Sequence, residues 1–323
     1  MGLGNYVLKR LLLLIPVLLG VSVIVFLLMK ITPGDPVTTL LPPEARSPEN
    51  IRRLEQRLGV GDPIYIQYLN WLENAIQGDL GQSYSTREPV VRMIAISIWP
   101  TVQLAIVALA VATLIAIPMG VLGAVYKDTW VDHIGRVFAF LGISMPSFWL
   151  GIMVILIFSL FWRGWFGFQL IPSGGYAGPS DGFVTWMRHV LPPGITLGVG
   201  YAALTARLTR SSMVEVLNEE FVETARAKGV KEKSVIMIHT FRNSLIPVVT
   251  VMGLQIGFLM NGAIVVEQVF QWPGIGLLLY DAVISTDIPL LQGVVLFVAV
   301  VFVISNLVVD VLYAYLDPRI KYE

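Results

Sequence analysis

Long uncharged stretches, separated by short charged ones, dominate the sequence. A helix needs about 20 apolar residues, with a range of roughly 17 to 25, to cross the hydrocarbon core of a bilayer. Six uncharged runs reach that range: 11–29, 93–126, 137–162, 190–206, 243–266 and 288–309. The pattern therefore predicts six transmembrane helices.

The fourth run is the shortest and the least hydrophobic. It is rich in Gly and Ala, and it opens with Pro192-Pro193, which suit the first turn of a helix. This composition favours a helix that is shielded by other helices over one that faces lipid.

The composition indicates an integral membrane protein and narrows its chemistry. Of 323 residues, 55% are hydrophobic and 14% are charged, whereas soluble domains carry about 25% charged residues. The 22 basic residues are balanced by 22 acidic ones, which argues against a nucleic-acid binder. With no cysteine and three scattered histidines, the sequence predicts no metal site.

Basic residues in short loops mark the cytoplasmic side of a membrane protein. With the N-terminus placed inside, the inner segments hold 13 Lys or Arg, and the short outer loops hold only Arg163 and Arg188. Both termini are therefore predicted to be cytoplasmic. The predicted division is a first transmembrane helix (1–30), an extracytoplasmic helical loop (31–92), a membrane core with helices two to six and a cytoplasmic loop at 207–242 (93–316), and a cytoplasmic tail (317–323).

An alternative for residues 1–30 is a cleaved signal peptide, because Lys9-Arg10 precedes the apolar run. That run is longer than an ordinary signal-peptide core, and no small-x-small cleavage site follows it. We therefore keep this segment as a membrane span.

The first outer loop contains two amphipathic patterns. One predicted helix starts at Ser47-Pro48 and stops near Gly59, and a second starts at Asp62-Pro63 with Tyr65, Tyr68, Leu69 and Leu72 on one face. The pair is predicted either to cap the outer mouth of the bundle or to rest on the outer leaflet.

The sequence offers little catalytic chemistry. It contains no phosphate-binding loop and no His-Glu-x-x-His motif. Ser144 could serve as an intramembrane nucleophile, but His133 and His189 lie at span edges on opposite sides of the predicted topology. Asp310 is the one ionisable residue of the spans, and we interpret it as structural. Since ion-coupled carriers place titrating groups inside the bundle, the energy for transport is predicted to come from outside this chain.

The most informative segment is cytoplasmic and lies between the fourth and fifth spans. It predicts a short helix with small residues at 225 and 227, ended by a glycine that can adopt the left-handed conformation. The segment consists of Glu223, Thr224, Ala225, Arg226, Ala227, Lys228 and Gly229. It could transmit a push from a soluble partner into the two spans. The alternative is a basic helix lying on anionic headgroups, which the acidic residues Glu223 and Glu232 disfavour.

This segment resembles the Glu-Ala-Ala-x-x-x-Gly loop of ABC importer permeases, with Thr224 in place of the second residue. The continuation from Ala225 to Pro247 is similar to the dipeptide/oligopeptide/nickel permease family. Further matching segments follow in order along the chain: Pro33-Gly34-Asp35-Pro36, Gly78-Asp79-Leu80-Gly81, Ser144-Met145-Pro146-Ser147-Phe148-Trp149, Trp272-Pro273-Gly274-Ile275-Gly276, Gln292-Gly293 and Leu316-Asp317-Pro318-Arg319.

The resemblance implies a type I ABC importer permease fold with a small helical extracytoplasmic region after helix 1. It also implies a complex in the prokaryotic cell membrane. A second homologous permease forms a heterodimer with this chain, two cytoplasmic ATPases bind ATP and Mg beneath the pair, and an extracytoplasmic binding protein delivers the substrate. The chain itself binds no cofactor, contacts membrane lipid and has no catalytic residue.

Polar residues of the fifth span could line a passage. Gly253, Gly257 and Asn261 share one face of the predicted helix, and Gln255 lies elsewhere on it. The glycines could equally allow close helix packing, and Asn261 could hydrogen-bond between helices. The following loop, with Trp272, Pro273 and Gly274, is predicted either to act as an outer gate or to brace the binding protein.

Three functions remain after this reading: an ABC importer permease, which the resemblance favours, a stand-alone channel or ion-coupled secondary carrier, and an intramembrane enzyme. A dipeptide or oligopeptide is the expected cargo. Glutathione, nickel complexes and sugars remain open, because selection rests mainly with the binding protein.

Overall fold

The computed structural model of the chain describes residues 3–31, 47–58, 61–260 and 263–316. Its regular elements are helices, apart from an isolated bridge between Gln82 and Pro89. In chain order the helices are α1 (Leu3–Ile31), α2 (Pro48–Leu58), α3 (Ile64–Ile76), α4 (Val90–Val125), α5 (Trp130–Ser144), α6 (Ser147–Phe166), α7 (Phe183–Leu217), α8 (Glu220–Ala227), α9 (Glu232–Ser234, a π-helical turn Val235–Thr240 and Phe241–Met260), α10 (Ile264–Phe270), α11 (Ile275–Ile284) and α12 (Ile288–Leu316).

Five helices in the described ranges are long and apolar enough to cross a membrane, namely α1, α4, α6, α9 and α12. The remaining predicted span, the fourth along the chain, lies in α7, which packs against α4, α5, α6 and α9. Many of its residues are buried, including Gly194, Gly198 and Ala202. The low hydropathy of the fourth run therefore reflects a helix shielded by its neighbours.

The α4–α7 contact is the most extensive in the molecule, and glycines make it possible. A Cβ at Gly198 would lie 2.7 Å from Cγ1 of Val111, and one at Gly194 would lie 2.6 Å from Cγ1 of Val107. Small residues allow helix backbones to approach closely where lipid supplies no hydrophobic driving force. These two helices form the centre of the bundle.

The structure corrects two sequence-based predictions of helix boundaries. The third apolar run is not one helix, because Met145 and Pro146 adopt extended conformations and separate α5 from α6. Proline lacks an N–H donor and disfavours the helical region for the residue before it. In addition, Pro192-Pro193 do not open the fourth span. They lie inside α7, which begins at Phe183 after Gly182.

The segment predicted to be extracytoplasmic contains both predicted helices. The Oγ of Ser47 accepts a hydrogen bond from the N–H of Asn50 at the start of α2. Helix α3 contacts α1, with the hydroxyls of Tyr68 and Ser22 2.8 Å apart. Tyr65 and Leu69 are exposed, so the predicted shared face of α3 is split. Whether this pair caps the mouth or rests on the leaflet stays a prediction.

Candidate functional site

The loop predicted to be cytoplasmic forms an elbow between α8 and α9. Gly229 has a φ of 76°, a conformation that costs a non-glycine residue roughly 1–2 kcal/mol. The N–H of Val230 donates to the carbonyl of Ala225, and the N–H of Gly229 donates to the carbonyl of Arg226. This pair of bonds is the Schellman arrangement that ends a helix at a left-handed glycine, as the sequence predicted for this position.

A small apolar cluster seats α8 on the rest of the chain. Val222 and Val235 are fully buried, Ala225 is nearly so, and Val216 and Val230 pack against them. The cluster joins the end of α7, the elbow and the start of α9. Helix α8 is therefore packed directly against the ends of both membrane helices.

An ion pair also closes the elbow. The guanidinium of Arg226 lies 2.9 Å from the carboxylate of Glu232. The hydrogen bonds from Arg226 lower the pKa of Glu232, and the same bonds raise the pKa of Arg226. Both side chains are exposed, so the pair adds little to stability, but it restricts the orientation of α8 relative to α9.

The outward face of α8 is available to a partner. Of the seven predicted residues, Ala225 is buried against the chain, and Glu223, Thr224, Arg226, Ala227, Lys228 and Gly229 are exposed. Phe221 also lies on the exposed side, with 43% of its surface accessible. Sequence reasoning omitted Phe221 from the site. Its position three residues before Thr224, opposite the buried Val222 and Ala225, is the signal that could have identified it.

A buried carboxylate ties α5 to α7. Asp132 is fully buried, and its Oδ2 accepts hydrogen bonds from Arg210 at 2.8 Å and Arg136 at 2.7 Å. The bonds from Arg210 hold the pKa of Asp132 well below its usual range. The sequence analysis did not single out Asp132, since its partner Arg210 is 78 positions away.

Asp132→Asn is expected to lower the free energy of unfolding by about 1.5–3 kcal/mol, because it weakens charged hydrogen bonds of that typical strength. Thermal unfolding of the purified variant checks this. The matched control is Asp181→Asn, which removes a carboxylate from the segment before α7, where Asp181 accepts a hydrogen bond from the backbone N–H of Gly178. An Asp132→Asn variant as stable as the native chain would contradict the assigned role.

The predicted outer gate is folded into the bundle. Trp272 is fully buried in the main apolar core. Its indole N–H donates to the carbonyl of Pro100 at 2.9 Å. Its ring packs edge-on against the ring of Tyr176, with the ring centroids 4.9 Å apart. Gly274 is buried and Pro273 is half-buried. These contacts attach the hairpin of α10 and α11 to the outer half of α4.

Glu267 organises this hairpin, and the sequence analysis did not identify it as a site residue. Its side chain is fully buried, where its Oε2 accepts from the N–H of Leu277 at 2.8 Å and its Oε1 accepts from Thr101 at 3.3 Å. The carboxylate lies at the N-terminus of α11, which favours negative charge. Burial nevertheless raises the pKa of Glu267 to about 7.

Two glycines of the Trp-Pro-Gly-Ile-Gly motif leave room for this carboxylate. A Cβ at Gly274 would overlap the carboxyl group of Glu267. A Cβ at Gly276 would lie 2.9 Å from both N and Cα of Ile264. Close packing against Glu267 and Ile264 therefore explains both glycines of this motif.

Of the candidate passage residues on α9, Gln255 and Gly257 lie between helices. Gln255 is buried and donates to the hydroxyl of Thr205 on α7 at 3.0 Å. Gly253 and Gly257 pack on α12, where an added Cβ would lie 3.2 Å from Val309 and 3.4 Å from Ser305. Asn261 lies outside the described residues, as does the tail 317–323. The assignment of Gln255, Gly257 and Asn261 to a passage stays a prediction.

The described residues contain no cluster of His, Cys, Asp or Glu that could hold a metal ion. Ser144, the candidate nucleophile, lies at the exposed end of α5. The ring of His189 hydrogen-bonds the carbonyl of Thr185. The described geometry is a helix–glycine–helix elbow joined through α7 and α9 to the bundle, with a separate hairpin of α10 and α11 packed on α4.

Comparison with known proteins agrees with this geometry. Residues 116–322 match the family described as binding-protein-dependent transport system inner membrane component, and residues 3–105 match the N-terminal region of such components. The glutathione transport system permease protein GsiC from Escherichia coli K12 is 44% identical over 319 residues, covering 99% of both chains, and so is the GsiC of Salmonella typhi.

The fold also matches a solved structure. A chain of the MetNI methionine ABC transporter in an inward-facing conformation superimposes with a TM-score of 0.54, covering 71% of this chain and 99% of that one at 18% identity. At that identity the likeness shows the fold alone, and it agrees with the predicted type I importer permease fold.

The permease resemblance noted from the sequence is therefore confirmed. Proteins of this family are non-catalytic, multi-pass components of the inner membrane, and the family implies a second permease, ATPases and a binding protein. The chain belongs to the binding-protein-dependent transport system inner membrane components, as a permease subunit of an ABC importer of the oligopeptide/nickel group.

Proposed function

We propose that this chain forms, with a second homologous permease, the passage of an ATP-driven importer for small peptides. Its relative GsiC is named for glutathione, which is a tripeptide, and this supports a peptide cargo. An extracytoplasmic binding protein delivers the cargo, and both termini of the chain are cytoplasmic.

The elbow between α8 and α9 is the observation that supports this proposal most strongly. Residues Glu223 to Gly229 bind in a groove of one ATPase, and two such ATPases hold ATP and Mg beneath the two permeases. ATP-driven closure of the ATPases moves α8, and the Val222–Val235 cluster passes this movement to α7 and α9. The complex then shifts from inward-open to outward-open because the two states differ in their contacts.

The outer hairpin is proposed as the gate. Trp272, Pro273 and Gly274 lie on a segment held to α4 by the Trp272–Pro100 and Thr101–Glu267 bonds. Release of these contacts opens the outer end. Gln255, Gly257 and Asn261 are proposed to lie near the passage once the second permease is in place.

Uptake by the reconstituted complex tests the cargo. Proteoliposomes containing both permeases, both ATPases and ATP are given the binding protein with labelled glutathione, dialanine or maltose. We expect accumulation of glutathione or dialanine and none of maltose. Accumulation of maltose alone would contradict a peptide cargo while leaving the importer assignment intact.

A further inference from the structure

A cavity of about 540 Å³ opens between the inner ends of α4, α5 and α7, away from the elbow and the outer hairpin. It begins near Met119 and Gly123 of α4, one turn before the cytoplasmic end of that helix. The charged residues at its wall are Asp132, Arg136, Arg207 and Arg210. Neither the elbow mechanism nor the gate uses it.

The charges of the cavity do not balance locally. Asp132 binds both Arg210 and Arg136, and Arg136 also reaches Asp128 at 3.4 Å. Arg207 makes no ion pair with any residue in the described part of the chain, and its side chain is exposed. It lines two neighbouring cavities as well. The cavity therefore presents an uncompensated guanidinium.

The remaining wall is mostly apolar. Its apolar side chains are those of Met119, Ala139, Phe140, Ile143 and Ala206, and Ser144 is its one uncharged polar side chain. The outward face of α5 beside the opening is apolar too: Trp130, Ile134, Val137 and Phe140 expose 72%, 57%, 58% and 71% of their surfaces. A site with a cationic end and a long apolar wall fits an anionic amphiphile.

The depth of the cavity agrees with this ligand. Its charged end lies level with the last turn of α4, on the side that the basic residues mark as cytoplasmic. Phosphates of the inner leaflet lie at this level, and basic pockets between membrane helices on this side bind anionic headgroups.

We propose that this cavity binds an anionic phospholipid of the inner leaflet. The phosphate pairs with Arg207, assisted by Arg136, and an acyl chain lies along Phe140 and Ile143. The bound lipid fills the gap between α4, α5 and α7, and so stabilises the packing of the helix that leads into the elbow.

Native mass spectrometry and thermal unfolding test the site. The full-length chain, purified with its accompanying subunits, is titrated with phosphatidylglycerol or phosphatidylcholine in mixed micelles, or with inorganic phosphate alone. We expect tighter binding and greater thermal protection from phosphatidylglycerol. Equal effects of the two lipids, or full protection by inorganic phosphate, would overturn the proposal.

Two variants locate the binding. Arg207→Gln is expected to weaken phosphatidylglycerol binding about fivefold, the typical contribution of one basic residue near a membrane surface. Arg242→Gln removes the same charge on the same side of the membrane from an exposed residue that does not line the cavity, and native affinity is expected.

Gly135→Leu keeps every charge and places a branched apolar side chain at the cavity wall. A Cβ at Gly135 meets nothing within 4 Å, so the side chain starts in open space, and leucine also favours a helix more than glycine does. We expect a folded protein that has lost the preference for phosphatidylglycerol. If Gly135→Leu or Arg207→Gln retains native affinity, or if Arg242→Gln loses as much as Arg207→Gln, the site is wrong.

Discussion

Gly229→Arg is expected to reduce ATP-driven uptake at least about tenfold, a loss of roughly 1.4 kcal/mol or more in ATPase binding, while the chain still inserts in the membrane. The position is exposed, and an added Cβ would meet no described atom of this chain within 4 Å. The arginine side chain therefore starts from open space on the surface proposed to bind the ATPase. Its positive φ adds a backbone cost that loosens the elbow.

The measurement exploits the absence of cysteine from the sequence. A single cysteine at the exposed Ala227 is cross-linked to the ATPase in membranes, with and without Gly229→Arg, and the cross-link is expected to disappear in the variant.

Gly167→Arg is the matched control. Gly167 also ends a helix with a φ of 76° and has open space around it, but it lies on the predicted outer side. Native cross-linking in Gly229→Arg, or equal loss in Gly167→Arg, would contradict the assignment of the elbow.

Gly276→Ala is expected to destabilise the outer hairpin by about 1–3 kcal/mol, the usual cost of forcing an extra methyl group into a packed interior. The new Cβ would lie 2.9 Å from backbone atoms of Ile264, which cannot move without shifting α10. It would also crowd the carboxylate of Glu267. The purified complex should show a lower unfolding temperature and weaker coupling of uptake to ATP hydrolysis.

Gly164→Ala supplies the control for this second prediction, because a Cβ there meets nothing within 4 Å. It is expected to behave like the native chain. Native stability and uptake in Gly276→Ala would show that the packing around Glu267 is not needed to hold the hairpin.

Local patterns explain which features were predictable. The elbow follows from a short helix and a glycine stop within one segment, so the end of α8 at Gly229 could be derived from the sequence. The family resemblance and the helical membrane fold rest on motifs and hydrophobic runs along the whole chain. Pro146 is a local sign of the break between α5 and α6. The break was missed because no charged residue interrupts the run 137–162, which was therefore treated as one helix.

Contacts between distant residues explain what was missed. Thr101 and Glu267 are 166 positions apart, and no pattern near either one indicates the other. The loop of Trp272 was predicted to be a gate or a brace, but nothing near Trp272 in the sequence indicates that its buried indole donates to the carbonyl of Pro100. Likewise, Gln255 gives no sequence sign that Thr205 is its partner.

The central claim is that this polypeptide moves cargo only when separate ATPases drive its elbow. Proteoliposomes containing the purified chain alone are compared with proteoliposomes containing the second permease, the ATPases, the binding protein and ATP. The account predicts uphill accumulation of labelled peptide only in the complete set. Uphill accumulation by the chain alone would contradict it.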